Sequence, residues 1–468
     1  MSETIVKPER PGGFLDFLPA DYLARESMLK KIQGVFRSFG FDPIETPRIE
    51  FLKTLAGETS NTGKNIFHIK SGADDEPLAM PFDHTVPFAR LLAANPYEAK
   101  RRTGIRLPWR RMVVGPVFRS DNPQSGRYRQ FYQFDADIAG TSAMMADAEM
   151  VALMYLTMKA LSVEHFKIRI NNRKVLNGLA TLTGIHGRDK IPANDITREM
   201  MRILDKLDKI GMDRVLKELQ DPPEDDYSPS PCLSAESVEN IRSFLSLKGD
   251  NSQKISQCRE IFQGIDIAHE GLDELSSILN YLRSMKIPES YVDIDFSIAR
   301  GLDYYTGPVF ETVLLDAPEF GSIFSGGRYN DLVRRFTGKS LPATGTSIGV
   351  DRLFAALSHL GLLDKSRQTV TEVMVLRIEK DNDEQYLEIA SRVRCMGINT
   401  EICMVEDTSF KGQFNFAISR GAKFVIICGV SELEKGTLQI KNLETRKQEE
   451  VSKADLGAYF EKNRCSEK

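Results

Sequence analysis

Several features that mark common classes of protein are missing from this sequence. No apolar run approaches the roughly 18 residues that a membrane-spanning helix needs. The start of the chain, MSETIVKPERPGG, has neither an apolar core segment nor an Arg- and Ser-rich amphipathic pattern, so no secretory or transit peptide is evident. We therefore expect a cytoplasmic protein that has no membrane partner.

Cysteine and histidine are too few and too scattered to support a disulfide framework or a metal centre. The six cysteines form no CxxC pair and have no regular spacing, which is typical of reduced, packing thiols. The six histidines form no HExxH motif, so no metal site is predicted from a protein motif.

The usual nucleotide-binding loops are also missing. GETSNTGKN at 57–65 has one residue too many for a P-loop, and TGKS at 337–340 lacks the upstream glycine. No GxGxxG motif follows a predicted strand. Any ATP site must therefore be built on an antiparallel sheet, with arginine side chains as clamps.

The charge balance excludes a bulk polycation. Lys and Arg number 62 against 66 Asp and Glu, which gives a net charge of −4. Nucleic acid must therefore be bound through local basic patches. One candidate is KRRTGIRLPWRR at 100–111, with six basic residues in twelve. A solvated loop is the alternative interpretation of the same stretch.

The hydrophobic periodicity predicts β-type sequence interrupted by a helical region. In the stretch 21–40, apolar residues recur at three- and four-residue steps, which predicts an amphipathic helix that ends at its glycine. Residues 113–140 predict a long β-hairpin, and 147–161 predict a helix whose methionines fill the core. Residues 174 to about 285 carry long helical patterns, such as 195–219, and are typical of a helical insertion.

The last part of the chain changes pattern again. Strand-like and helix-like stretches alternate there in the order β-α-β-α-β, from VMVLRI to KFVIICG. This order predicts a separate small α/β domain of about 100 residues. With 468 residues, the chain is long enough for two or three domains that each bury a core.

The second strand of the predicted hairpin separates a polar face from an apolar one. The polar face carries Arg127, Arg129, Phe131, Gln133, Asp135 and Asp137, and Arg119 lies on the first strand. Arginines at the loop end and carboxylates further along suit a site with phosphate at one end and a cationic ligand at the other. A solvated face of an antiparallel sheet is the alternative.

Three further stretches carry glycines beside charged or phenolic side chains. In TGTSIGVDRLFAAL at 344–357, a strand ends at Gly349 and a helix opens with Arg352 in its first turn, which is an anion-binding arrangement. SGGRYNDLV at 325–333 has a Gly pair that permits close approach. ARGLDYYTGPVFE at 299–311 is either a turn and a strand with surface tyrosines, or a pocket for an anion and a small polar ligand.

Together these stretches resemble the histidyl-tRNA synthetases, a family of class II aminoacyl-tRNA synthetases. GFDPIETPRIE looks like the dimer-forming motif 1, GPVFRSDNPQSGRYRQFYQFDADIAG is similar to motif 2, and TGTSIGVDRLFAAL is similar to motif 3. ARGLDYYTG and SGGRYNDLV match the two histidine-specific segments of the family. The resemblance covers essentially the whole chain, and RGLDYYTG is highly specific to this family.

The resemblance implies an α+β catalytic domain, with an antiparallel sheet flanked by helices, a helical insertion and a C-terminal α/β anticodon-binding domain. The implied boundaries are 1–173 and 286–365 for the two parts of the catalytic domain, 174–285 for the insertion and 370–468 for the anticodon-binding domain. It also implies a homodimer that uses ATP and Mg²⁺ to join L-histidine to histidine tRNA. Histidyl-adenylate and pyrophosphate form first, and the adenylate then esterifies the 3′ end of the tRNA.

The resemblance also implies roles for individual residues. Arg119 and Arg300 are the expected catalytic residues, which reach the α-phosphate from opposite sides. The expected ATP-binding residues are Arg119, Arg127, Phe131 and Arg352. The expected histidine-binding residues are Asp83, Thr85, Arg119, Gln133, Asp137, Arg300, Tyr304, Tyr305 and Tyr329. Gln124 matches a residue that contacts the tRNA near its 5′ end, whereas Asn122 replaces a companion arginine of the family.

Two other interpretations compete with an active enzyme of this family. A catalytically inactive paralogue, acting as a regulatory or tRNA-sensing subunit, should have lost the clamp arginines, and Arg119, Arg127, Arg300 and Arg352 are all present. Other class II synthetases with a similar C-terminal domain lack RGLDYYTG. An active histidyl-tRNA synthetase is therefore the favoured expectation.

Overall fold

The structure is a computed structural model that describes residues 6–56, 65–70, 76–95, 105–122, 126–188, 190–222, 227–299 and 304–464. Two of the predicted site residues, Arg300 and Gln124, lie outside these ranges. The chain divides into two compact units. The larger runs from Met28 to Leu363 and includes the segment before Asp16, and the smaller contains Asp16–Ser27 and the chain from Asp364 onward.

The larger unit is built around a single large sheet. Its described strands are β1 (Asp42–Pro43), β2 (Glu50–Phe51), β3 (His68–Ile69), β4 (Leu78–Ala79), β5 (Trp109–Phe118), β6 (Gln130–Ala139), β7 (Phe166–Asn172), β8 (Val292–Ile294), β9 (Pro308–Leu314), β10 (Ser322–Tyr329) and β11 (Ala343–Gly349). Eight of these strands form one sheet in the order β1-β5-β6-β11-β10-β9-β7-β8, and β2, β4 and β3 form a small separate sheet.

The predicted antiparallel sheet is confirmed in the centre of the large sheet. The six central strands, from β5 to β7 in the sheet order, pair antiparallel. The two edge strands are parallel to their neighbours, β1 to β5 and β8 to β7. The predicted hairpin at 113–140 is β5 and β6, which pair over their full length from Trp109↔Ala139 to Phe118↔Gln130.

Helices flank this sheet and fill the region between β7 and β8. The described helices up to residue 363 are α1 (Pro19–Ser38), α2 (Leu52–Ala56), α3 (Thr85–Ala94), α4 (Met144–Ala160), α5 (Arg173–Leu182), α6 (Ala193–Leu204), α7 (Leu207–Ile210), α8 (Met212–Gln220), α9 (Ala235–Leu245), α10 (Asn251–Ile261), α11 (Asp266–Ser284), α12 (Arg334–Thr337) and α13 (Val350–His359). The predicted helix at 21–40 is α1, and its core residue Phe36 packs on Phe134 of β6 at 4.6 Å between ring centroids. The predicted core methionines of α4 are fully buried.

The helical region differs from its prediction in one place. The pattern at 195–219 is divided among α6, α7 and α8 rather than forming one long helix. The division between α7 and α8 falls at Gly211, whose φ of 80° is incompatible with a continuous right-handed helix. The domain boundary at 174–285 stays a prediction, because the larger compact unit contains both the sheet and these helices.

The smaller unit has its own sheet and core. After residue 363 its elements are β12 (Val373–Val375), α14 (Asp383–Cys395), β13 (Thr400–Ile402), α15 (Phe410–Arg420), β14 (Phe424–Ile427), α16 (Val430–Lys435), β15 (Thr437–Asn442), β16 (Gln448–Ser452) and α17 (Leu456–Arg464). The sheet order is β13-β12-β14-β15-β16. The first three of these strands are parallel, which confirms the predicted β-α-β-α-β pattern, and an antiparallel hairpin that was not predicted extends the sheet.

Among the helices of the described ranges, none combines the length and the apolar character that crossing a bilayer requires.

Candidate active site

The polar face of β6 and its neighbours opens into two adjoining cavities. One has a volume of about 360 Å³ and includes Asp83, Asp135 and Asp137 in its lining, and we call it the acidic compartment. The other has a volume of about 340 Å³ and includes Arg127 and Arg352, and we call it the arginine compartment. Both are lined by Arg119, Asp121, Gln133, Ser325 and Ser347, so they are two parts of one cleft. The polar face of β6 therefore lines a cleft, and its role as a binding site stays a prediction.

The acidic compartment brings together most of the predicted histidine-binding residues from distant parts of the chain. Its lining contains Asp83, Thr85, Arg119, Gln133, Asp137, Tyr304, Tyr305 and Tyr329. It also contains Asp135, which the sequence placed on the correct face but which was not among the predicted ligands. Alternation along β6 was the signal that could have identified it, because Gln133, Asp135 and Asp137 share one face.

Asp83 lies at the start of α3, where it receives a helix N–H. The backbone N–H of Val86 donates a hydrogen bond to Asp83 Oδ1 at 3.1 Å. The next residue, His84, is also buried, and its Nε2 lies 3.1 Å from the carbonyl oxygen of Gly115. Burial raises the pKa of Asp83 and, together with the charge of Arg111, lowers that of His84 to about 4. His84 is therefore neutral at pH 7, and Asp83 is the acidic group at this end of the compartment.

Asp137 is held by one ion pair and one hydrogen bond. The Nη2 atom of Arg111 lies 2.5 Å from Asp137 Oδ2, and the hydroxyl of Tyr329 donates to Oδ1. Arg111 is directly opposite Asp137 in the hairpin and is completely buried. Burial raises the pKa of Asp137 to about 6, while the charge of Arg111 lowers it. Arg111 therefore keeps this carboxylate ionised at neutral pH.

This pairing corrects the interpretation of the basic stretch at 100–111. Arg111 is neither on a solvated loop nor available to nucleic acid, because it is buried under the site. Arg110 is half-buried and forms an ion pair with Glu149 at 2.5 Å. Arg106 is exposed, and residues 100–104 lie outside the described residues. The hairpin register is the signal that distinguishes the last two arginines from the rest of the stretch.

Gln133 and Asp135 are joined by Ser347 of the neighbouring strand. Gln133 Nε2 donates a hydrogen bond to Ser347 Oγ at 2.7 Å, and Ser347 also hydrogen-bonds the Asp135 carboxylate. Gln133 Oε1 and Asp135 Oδ1 are buried and have no hydrogen-bond partner. Burial raises the pKa of Asp135 to about 6.

Glycines let the strands and the tyrosines approach this compartment closely. A Cβ at Gly345 would overlap the Asp137 carboxylate, and a Cβ at Gly327 would lie 2.9 Å from Cδ1 of Tyr305. The rings of Tyr304 and Tyr305 lie 4.5 Å apart between centroids, and burial raises the pKa of Tyr305 to about 12. The tyrosine hydroxyls therefore remain protonated and can donate hydrogen bonds to a ligand.

The arginine compartment contains all four predicted ATP-binding residues. Arg119, Arg127, Phe131 and Arg352 all line it. Arg119 donates from Nε to the carbonyl oxygen of Phe82 at 3.0 Å, and its Cζ lies 5.1 Å from the centroid of the Phe131 ring. Arg352 lies in the first turn of α13 and donates to the carbonyl oxygen of Ser322 at 2.6 Å. These backbone contacts hold two of the cationic groups in place.

The cleft can therefore bind a polyanion at one end and a ligand rich in hydrogen-bond donors at the other. The two ends meet at Arg119 and Gln133, which line both compartments. An antiparallel sheet that carries arginines and carboxylates on one face, with a helix starting beside the arginines, is the architecture of a class II aminoacyl-tRNA synthetase.

The chain belongs to the histidyl-tRNA synthetase family. The family model described as histidyl-tRNA synthetase matches residues 13–353, which is most of the chain. A second model, described as an anticodon binding domain, matches residues 372–463. The resemblance seen in the sequence is thus confirmed.

Individual relatives agree with this assignment. The chain is 36% identical over 456 residues to the histidine–tRNA ligase of Clostridium tetani, which covers 97% of this chain and 98% of the relative. The crystal structure of histidyl-tRNA synthetase from Nostoc sp. PCC 7120 matches with a TM-score of 0.81 at 29% identity, and covers 98% of this chain and all of that one. A Bacillus halodurans structure, described as an ATP phosphoribosyltransferase regulatory subunit/histidyl-tRNA synthetase, shares the fold at 22% identity with a TM-score of 0.71.

Proposed function

We propose that this protein is a histidine–tRNA ligase. It activates L-histidine with ATP to give histidyl-adenylate and pyrophosphate, and then transfers the histidine to the 3′ end of histidine tRNA. The observation that carries the proposal is the division of one cleft into an acidic and an arginine compartment that share Arg119 and Gln133. This arrangement brings a donor-rich amino acid and a triphosphate together at the point where the new bond forms.

Histidine occupies the acidic compartment in this proposal. Asp83, Gln133 and Asp137 accept hydrogen bonds from the α-ammonium group and the imidazole ring, and Thr85 contributes a hydroxyl. Tyr304, Tyr305 and Tyr329 close the compartment around the ring. A site that hydrogen-bonds a substrate through buried polar groups rejects analogues that lack those donors by roughly 10⁴- to 10⁵-fold, so selection for histidine needs no separate editing domain.

ATP occupies the arginine compartment. Arg119 contacts the α-phosphate, Arg127 and Arg352 contact the outer phosphates, and Phe131 stacks on the adenine. The ring of Phe131 already lies beside Arg119, which supports a stacked arrangement of guanidinium, ring and base. The histidine carboxylate can then approach the α-phosphorus from the acidic compartment, with Arg119 beside both reacting groups.

Mg²⁺ fits this compartment as a partner of the phosphates rather than as a resident of a protein cage. The described residues contain no cluster of three or more metal-ligating side chains, and Mg²⁺ in such sites is commonly held by substrate phosphates with one or two carboxylates. Asp121 and Asp351 are carboxylates in the lining of the arginine compartment that would hold it. When bound, the ion neutralises phosphate charge.

The tRNA contacts and the dimer are proposed from the family. The smaller unit binds the anticodon region, and Gln124 contacts the tRNA near its 5′ end. Two copies associate through the motif 1 segment, which includes β1 at the edge of the large sheet. Arg300 completes the catalytic pair by reaching the α-phosphate from the side opposite Arg119.

The decisive experiment is exchange of labelled pyrophosphate into ATP, run separately with each of the twenty amino acids. We expect exchange with histidine alone, followed by charging of histidine tRNA. Folded protein that supports no exchange with any amino acid would overturn the proposal and favour a regulatory paralogue.

Arg300 provides a sharper test of the mechanism. The Arg300→Ala variant should fold but lose roughly 10²- to 10³-fold in exchange rate, because a cation that stabilises the developing phosphate charge is removed. Urea unfolding of the variant is the control for folding. Exchange within a factor of two or three of the wild type would remove Arg300 from the mechanism.

A further inference from the structure

Gln133 and Asp135 of β6 line the acidic compartment, and each has a buried side-chain oxygen without a hydrogen-bond partner. Gln133 Oε1 and Asp135 Oδ1 are buried and have no hydrogen-bond partner. Asp137 Oδ2 also has no hydrogen-bond partner, but it lies 2.5 Å from Arg111 Nη2 in an ion pair, and Asp137 Oδ1 accepts from the Tyr329 hydroxyl. A buried acceptor without a donor costs free energy, and that cost is relieved when a ligand supplies an N–H or O–H group. A ligand N–H that reached either atom would relieve this cost and gain affinity.

Ser347 explains why these two atoms remain unused by the protein. Its hydroxyl accepts from Gln133 Nε2 at 2.7 Å and also hydrogen-bonds the Asp135 carboxylate. Ser347 and Asp135 are direct partners in the register between β11 and β6. One hydroxyl thus fixes both side chains, which leaves one oxygen of each for a ligand.

The spacing of the two residues suits one small ligand with donors at both ends. Residues two apart on a strand point to the same face and are separated by about 6.7 Å along it. Gln133 lines both compartments, whereas Asp135 lines only the acidic one. If the proposed function holds, the amino-acid carboxylate faces the arginine compartment. The ammonium group then lies nearer Gln133, and the ring lies nearer Asp135.

We propose that Asp135 is a further specificity-determining residue for the amino acid, with its Oδ1 accepting a hydrogen bond from an imidazole N–H of bound histidine. Ser347 is a positioning residue that acts through Asp135. This inference rests on the proposed function. It adds Asp135 to the predicted histidine-binding residues, as a carboxylate that hydrogen-bonds the imidazole ring.

The test compares how Asp135→Ala affects histidine and a ligand that lacks ring donors. The probe is β-(2-thienyl)alanine, whose five-membered ring has a similar shape but no N–H. We expect the KM for histidine in pyrophosphate exchange to rise roughly 10- to 100-fold, as for loss of a hydrogen bond to a charged group. The inhibition constant of the thienyl analogue and the KM for ATP should stay within about twofold.

Two further variants separate positioning from packing. Ser347→Ala should also raise the KM for histidine, but by less than Asp135→Ala does. The Asp135 carboxylate is still present in this variant but is no longer held by the Ser347 hydroxyl. Gln130 is on the same strand but is exposed and lies outside both compartments. Gln130→Ala should therefore leave the KM for histidine and the inhibition constant of the thienyl analogue unchanged. Asp135→Asn keeps one oxygen acceptor, so its KM for histidine should lie between those of the wild type and Asp135→Ala.

The possible results distinguish this inference from the proposed function. Equal losses for histidine and the thienyl analogue would place Asp135 at the ammonium group or in packing, and would overturn the inference. A KM for histidine that is unchanged in Asp135→Ala would also overturn the inference. Absence of histidine-dependent exchange in the wild-type protein would instead overturn the proposed function.

Discussion

At the scale of single residues, burial sets the charge state of the acidic compartment. Asp135 and Asp137 are almost completely buried, and burial raises the pKa of each to about 6. An unfolded chain would titrate these carboxyls near their ordinary pKa of about 3.9. The folded protein without ligand therefore binds more protons than the unfolded chain between about pH 4 and 6, so its stability falls as the pH rises through that window.

The buried charge of Asp135 should lower the stability of the ligand-free protein at neutral pH. Asp135→Asn should raise the free energy of unfolding at pH 7 by on the order of 2 kcal/mol, because it removes a buried carboxylate that is ionised at a cost. The gain should shrink as the pH falls toward 4.5, where the wild-type carboxyl takes up a proton. Urea unfolding of ligand-free protein at the two pH values measures this difference. A variant that is less stable at pH 7 than the wild type would contradict it.

Arg111 and Arg110 form a matched pair for the second prediction. Arg111→Met should cost roughly 3–5 kcal/mol of unfolding free energy, because it leaves Asp137 buried without its cation. It should also raise the KM for histidine, since the carboxylate is then ionised less readily. Arg110→Met should cost at most about 1 kcal/mol, because its ion pair with Glu149 is partly exposed.

Urea unfolding and pyrophosphate exchange measure both Arg variants. If the two substitutions changed the unfolding free energy and the KM for histidine equally, the buried Arg111–Asp137 ion pair would contribute no more than the partly exposed Arg110–Glu149 pair. Adding Asp137→Asn to Arg111→Met should recover part of the lost stability without recovering histidine binding.

At the scale of elements, the site depends on how closely β11 packs beside β6. Gly345 lies opposite Asp137 in the register of these strands, and a Cβ there would overlap the carboxylate. Gly349, at the end of the same strand, has Arg352 Cβ as its nearest contact at 3.7 Å. A Cβ is therefore excluded at Gly345, whereas a methyl group at Gly349, which lines the arginine compartment, would meet no close protein atom.

The third prediction uses these two glycines. Gly345→Ala should lower the unfolding free energy by roughly 1–3 kcal/mol through overpacking and should raise the KM for histidine. Gly349→Ala should leave the unfolding free energy within about 0.5 kcal/mol of the wild type. Thermal or urea unfolding of both variants, with exchange kinetics, provides the measurement. A Gly345→Ala protein with wild-type KM and stability would show that Asp137 can move at no cost.

At the scale of the whole molecule, a tRNA ligand must bind a chain that carries slightly more acidic than basic residues. The net charge of −4 provides no general attraction for RNA, so affinity depends on local phosphate contacts. Within the stretch 100–111, Arg110 and Arg111 are engaged in ion pairs inside the protein. Arg106 is exposed and remains a candidate for a phosphate contact.

The fourth prediction concerns salt. Histidine tRNA affinity should fall linearly on a log–log plot, by roughly tenfold between 50 and 200 mM salt for every two phosphate contacts. Arg106→Ala should reduce the slope by about one if this residue contacts a phosphate, and Arg110→Ala should leave it unchanged. Filter binding or fluorescence titration gives the slopes. A flat titration would exclude the stretch from the tRNA surface.

Much of the site could be predicted because strand alternation and motifs are local. The face of β6 that carries Phe131, Gln133 and Asp137 follows from a period of two, and the helix beginning after Gly349 follows from the small-residue strand before it. The sequence also identified the family, since RGLDYYTG and the three class II motifs are contiguous strings. Arg111 was assigned to the wrong environment because its neighbours in sequence are basic, whereas its neighbour across the hairpin is Asp137.

The sequence by itself determined the strands, most of the helices, the family and the types of residue that the site contains. Only the tertiary structure decided which of them meet. The sheet order β6-β11-β10 brings Asp135, Ser347 and the Gly326–Tyr329 segment together, although they lie far apart in the chain. Burial in that arrangement raises the carboxyl pKa values and leaves Gln133 Oε1 and Asp135 Oδ1 without donors. Desolvation and hydrogen-bond satisfaction depend on every packed neighbour, and no local stretch of sequence contains them all.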